Sequence, residues 1–247
     1  MEIPPADIGY IAEHLAPLTE VLIDSWDSDD AGKLPVAPTA LCEAIEQLLV
    51  VLRGHEQSLH GGDEDFRLAD KELAELVGYG IQLFAEAADQ AAQQSLTDTA
   101  EAIESLSLPL ALWGARHGSE LAELGPVVNT LERLANRLRE PDTMTRLYQT
   151  MNSIALAASP RISQADLSDA SHPWRILLLN RAIVATRSHQ PQLMEPAFDA
   201  IVESLPEEAT RFFAEGMGQM DIIGYPDPVR RVMQDYYLRH AGHRTLH

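Results

Sequence analysis

Apolar residues recur along this chain at steps of three and four, the spacing that gathers them on one face of an α-helix. Between Pro38 and Arg53 the stripe is Leu41, Ile45, Leu48, Leu49 and Leu52. Val50 and Val51 extend it almost all round, which predicts a central helix with Pro38 in its first turn and Gly54 at its exit. Cys42 adjoins that face and reads as a small buried hydrophobe. A second long helix is predicted from Ala69 to Gln94 on Leu73, Leu76, Val77, Ile81, Phe84 and Ala88. Gly78 and Gly80 each weaken it by about 1 kcal/mol relative to Ala, and point to close packing or a kink. Asp98 to Gly114 predicts a further helix, kinked where the Pro109 ring removes a donor.

Farther on, prolines and glycines divide the chain into shorter helices. Val127, Leu131, Leu134, Ala135 and Leu138 make one stripe; Met144, Leu147, Tyr148, Met151, Ile154 and Ala155 make the next. Trp174 to Arg187 and Met194 to Leu205 follow. Ser204 and Glu207 have the spacing of a capping box. Phe212, Phe213, Met217 and Met220 form a buried face that includes Gly216, where a missing side chain admits a neighbouring helix. Gly224 ends that helix. Asp227-Pro228 supplies a cap and first turn for the last one, whose stripe is Val229, Val232, Met233, Tyr236 and His240.

The pattern predicts an all-α fold of antiparallel helical hairpins. The prolines recur at about 33 residues (Pro126, Pro160, Pro191, Pro226), a period shared by several α-solenoids. A stacked, irregular α-solenoid and a compact irregular bundle both fit it, since ordinary hairpins have this length too. No named repeat signature is present. We expect one domain over 1–247, with N-terminal helices and an acidic linker in 1–37, an acidic helical half in 38–123, and arginine-bearing hairpins in 124–247. The acidic stretch from Asp24 to Pro38 and the segment from Gly54 to Asp65 are expected to be exposed connections.

Charge refines this picture. The net charge is −20, and residues 1–123 carry 24 acids and 5 bases, against 14 and 13 in 124–247. That balance argues against nucleic acid and anionic membranes as partners, because both need clustered cations. It suits a solvated surface, or a basic protein partner at the N-terminal half. Cys42 is the one cysteine, so no internal disulfide is available and a reducing, cytoplasmic setting is expected. Met1 to Pro5 shows no basic stretch followed by an apolar one, so no signal peptide is expected. No apolar run approaches the roughly 20 residues of a membrane span. The Ala-rich, Lys-poor composition suits a bacterial origin.

Candidate chemistry is sparse. His55 and His60 are five apart, whereas the helical zinc-protease motif needs four. A loop site from His55, His60, Asp63 and Asp65 is weighed against a plain polar loop. His240, His243 and His247 read as a frayed tail. No phosphate loop, nucleophile elbow or di-iron motif occurs, so no cofactor and no metal are expected. The arginines of the second half offer forks for carboxylates or phosphates. Arg133, Arg137, Arg175, Arg181, Arg230 and Arg231, with Tyr236, are the candidate partner- or anion-binding residues. Arg139, Arg146 and Arg187 lie nearby in sequence, and pairing with neighbouring acids is the plainer account of all of them. The expected function is a non-enzymatic interaction or scaffold protein that holds a peptide or protein partner in a groove between hairpins. The alternative is an enzyme or small-molecule binder whose site gathers Arg133, Arg137, Arg175, His172 and Asp166 from scattered helices. Self-association through an apolar helix face is a third possibility.

Overall fold

The Tyr10 amide donates to Asp7 Oδ1 at 2.7 Å and so opens the first helix, α1, Ile8–Asp24. The structure, a computed structural model, describes residues 2–26, 36–61 and 64–241. The central part of the predicted acidic linker and Asp63 therefore lie outside the described residues. After α1 come α2 (Pro38–Leu59), a 3-10 turn (Glu64–Phe66), α3 (Asp70–Gln93), α4 (Thr97–Ser105) and α5 (Ser107–Arg116). The chain continues with α6 (Gly125–Arg137), α7 (Pro141–Ala157), α8 (Pro160–Ser163), α9 (Pro173–Arg187), α10 (Pro191–Ser204), α11 (Pro206–Ile223) and α12 (Asp227–Ala241). The fold is all-α. Among the described residues no strand forms, and the only β-type pairing is an isolated parallel bridge between Leu121 and Ala158.

Prolines open α2 and α7 to α11, because a first-turn amide has no intrahelical partner to lose. The same rule corrects the expectation for Pro109. The predicted single helix is two, broken at Leu106, and Pro109 falls in the first turn of α5 instead of kinking a longer rod. Gly54 does not end α2 either. The helix runs five residues further, and the Cβ position of Gly54 lies only 2.9 Å from the Phe66 ring, so the bare glycine seats that ring. The capping box from Ser204 to Glu207 does not form: α11 starts from Leu205 without a side-chain cap. Gly224 does end α11, with a left-handed φ of 76°.

The described chain divides into two compact units, with the boundaries falling inside α6 and α7. One comprises Glu2–Leu131 and Ser153–Gln164. Its core is built on α2, α3 and α5: Ile45, Leu52, Val77, Ile81, Phe84, Leu110 and Trp113 are all buried. Gly80 is the point of closest approach, since a Cβ there would sit 2.6 Å from Leu48 and 2.7 Å from Leu110. Cys42 is buried in this unit, and desolvation raises its thiol pKa to about 11.

The other unit comprises Glu132–Asn152 and Ala165–His247. Its centre is aromatic. Phe198 of α10 meets Phe213 of α11 and Tyr236 of α12 with ring centroids 5.1 Å apart in each case. Both contacts are edge-on, the geometry that ring quadrupoles favour. Gly216 behaves as its position in the stripe predicted. Met233 of α12 fills the space a side chain would need, with Sδ 2.6 Å from the Cβ position.

Candidate functional site

The apolar stripes of α9, α11 and α12 do not close completely on one another. They leave an open cavity of about 340 Å³ in the second unit. From α11 it is lined by Phe212, Glu215, Gly216, Gln219, Met220 and Ile223. These recur at alternating steps of three and one, so one face of the helix forms a wall about 16 Å long at 1.5 Å per residue. Ile183, Thr186 and Arg187 of α9 face it, and Met233 and Tyr225 complete the lining. The bare Gly216 lets α12 approach closely here. Ile183 and Ile223 at the rim are 42% and 58% exposed, and the neighbouring Ile222 is 78% exposed. Adjoining exposed aliphatic side chains beside an apolar cavity are uncommon on a surface that meets only water.

Three ionisable side chains line the cavity. Glu215 pairs with Arg211 one turn away on α11, at 3.0 Å. Tyr225 is half-buried, which raises its hydroxyl pKa, and its ring packs edge-on against His189. Arg187 reaches to the C-terminal end of α6, where Nη1 donates to the Ala135 carbonyl and Nη2 to that of Leu138 at 2.6 Å. It thereby caps two of the carbonyls that a helix end leaves unpaired. Arg139 donates to the same Leu138 oxygen at 3.2 Å. Burial and then the like charge of Arg139 lower the Arg187 pKa.

The residues singled out from sequence are placed elsewhere. None of Arg133, Arg137, Arg175, Arg181, Arg230, Arg231 or Tyr236 lines this cavity. Arg133 and Arg137 lie on α6, half-buried and exposed respectively. Arg175 pairs with Glu208 and donates to the Leu167 carbonyl at 3.1 Å. Arg181 is buried. It donates to Asn152 Oδ1 at 3.3 Å and to the Pro196 carbonyl at 3.5 Å, while Nε has no partner. Arg230 ties α12 to α11 through Asp221 at 2.6 Å and the Met220 carbonyl at 2.9 Å. Arg231 reaches the Asp227 carbonyl at 3.4 Å. The Tyr236 hydroxyl donates to Asp199 Oδ1 at 2.6 Å. Burial, then that bond, push its pKa well above the usual tyrosine value.

His172 and Asp166 serve local turns. His172 Nδ1 accepts the Trp174 amide at the start of α9. Asp166 accepts the Ser168 amide and hydroxyl, which hold its carboxyl below the usual range. His55, which the sequence suggested for an exposed loop, is instead a buried member of α2. Its Nδ1 accepts the Leu68 amide at 3.1 Å, so the neutral ring carries its proton on Nε2 and has no free lone pair for a metal. His60 follows α2, is exposed, and bonds through Nδ1 to the Glu56 carbonyl. Among the described residues no group of three or more metal-ligating side chains comes together, and no helix is long and apolar enough to cross a membrane.

Sequence reasoning did recover most of the cavity's apolar residues as members of helical stripes, but not the cavity, which exists only through the spacing of three helices. Comparison with known proteins returns no family model, no curated protein and no solved structure that matches this chain.

Proposed function

We propose that this chain is a helical interaction protein, and that the cavity along α11 takes the apolar face of a partner's amphipathic helix. The observation that carries this reading is the shape of the wall. Phe212, Gly216, Met220 and Ile223 lie along three turns of one helix. That length accepts side chains spaced i, i+4 and i+7 on a second helix, the recurring helix-in-groove mode. The exposed Ile183 and Ile223 extend the apolar surface beyond the cavity, as an extended partner requires. A non-enzymatic role is favoured by the ionisable groups at hand. Glu215 is paired with Arg211, and Arg187 is bonded to carbonyls, so no nucleophile and base converge there.

The test uses blocked synthetic peptides that are helical and carry leucines at i, i+4 and i+7, with affinity followed by fluorescence anisotropy against the full chain. The rim variants Ile183→Glu and Ile223→Asp are expected to weaken binding by about tenfold or more, since a charge is then placed against the apolar stripe, and to leave the helical circular dichroism unchanged. Absence of binding by every such peptide, or binding indifferent to both variants, overturns the reading.

A further inference from the structure

The groove is chemically different at its two ends. Beside Glu215 the charges cancel, because Arg211 and Glu215 lie 3.0 Å apart. Beside Arg187 they do not. Arg187 and Arg139 both donate to the Leu138 carbonyl oxygen, at 2.6 and 3.2 Å, so two cations are held together by one neutral acceptor. Neither forms an ion pair with an acid among the described residues. The end of α6 offers partial compensation, since a helix C-terminus carries about half a negative charge. Set against two full positive charges, that leaves a surplus of roughly one and a half. Arg187 lines the cavity, next to the Tyr225 hydroxyl. A guanidinium pair of this kind is matched by a carboxylate, which accepts its N–H groups directly.

We infer that the groove selects an acidic partner helix: one whose apolar stripe is followed, about one turn on, by an aspartate or glutamate that seats at Arg187 and Arg139. This rests on the proposed docking role of the groove and names the chemistry of its partner. The acid supplies register and the apolar side chains supply contact area, because a charge pair at a rim contributes more to specificity than to bulk affinity. The selection is also salt-dependent, since the Arg139 side of the site is open to solvent.

The experiment compares three labelled peptides with the same leucine stripe. They differ only in the residue one turn beyond the stripe at each end, which is Glu, Gln or Lys, so the result does not depend on orientation. Wild-type protein is expected to bind them in the order Glu, Gln, Lys, with about a five- to tenfold step between the first two. Arg139→Gln should shrink that step. Arg139→Glu should reverse the order, with the Lys peptide now the tightest. Arg139 is exposed, and circular dichroism with thermal melting shows whether the variants stay folded. Equal binding of all three peptides, unchanged by Arg139→Glu, overturns the acidic preference and leaves the groove reading standing. Binding of none of them overturns both. Binding of decanoate with none of the peptides overturns both as well, and marks the cavity as a site for a small anionic amphiphile.

Discussion

The Leu68 amide donates to Nδ1 of the buried His55 ring across 3.1 Å. A backbone amide can only donate, so this bond exists only while Nδ1 is unprotonated. The ring lies against Trp113 and His117, with centroids 6.3 and 6.1 Å away. Desolvation, His117 and Arg67 lower its pKa, while Asp70 and Glu56 oppose them more weakly. The folded state therefore resists protonating His55 more than the unfolded chain does. His55 contributes full stability above the unfolded value of about 6.5. That contribution falls as pH drops from there through the lowered folded pKa. Urea unfolding at about pH 8 and about pH 5 should show a lower midpoint in acid. His55→Asn should unfold more readily at both, and lose much of the difference between them.

Gly78 and Gly80, two residues apart on α3, should respond to alanine with opposite signs. Nothing lies within 4 Å of a Cβ at Gly78, so Gly78→Ala gains helix propensity of about 1 kcal/mol. At Gly80 the methyl meets Leu48 and Leu110 at under 3 Å. Overpacking there should cost about 1–3 kcal/mol and outweigh the propensity gain. Thermal melts of the two single variants give the comparison directly.

Tyr236→Phe keeps the packing against Phe198 and Phe213 and removes the hydroxyl that donates to Asp199 Oδ1 at 2.6 Å, with the Glu195 carbonyl 3.3 Å away. The loss should be about 1.5–3 kcal/mol, the range for a hydrogen bond to a charged group. In a spectrophotometric titration, the native protein should show a tyrosine component that ionises above the usual tyrosine value and is missing from Tyr236→Phe.

Cys42 should be inert in the folded protein. Its thiol pKa of about 11 leaves little thiolate at neutral pH, and the side chain is buried. A disulfide exchange reagent at about pH 8 is expected to react only after denaturant is added. Rapid reaction of the native protein would show that α2 opens locally.

Much of the fold was legible because helix formation is local. The stripe from Leu41 to Leu52, the glycine stop at Gly224 and the bare face at Gly216 each depend on residues within a few turns. Two of the misreadings came where a distant residue decides, whereas the break at Leu106 and the absent cap at Ser204 are local. Gly54 stays helical with the Phe66 ring seated over it, and the buried His55 ring accepts the Leu68 amide. Neither contact has a periodic signature.

The candidate site divides in the same way. Phe212, Met220 and Met233 announce themselves as stripe residues through spacing alone, because burial of apolar area drives each helix to hide one side. That three such faces leave a cavity, and that Arg187 and Arg139 meet on the Leu138 carbonyl, was decided by the tertiary structure. Leu138 and Arg187 are 49 positions apart in the chain. Their meeting follows from how α9 lies against the end of α6, and that placement comes from packing between helices, which no local pattern encodes.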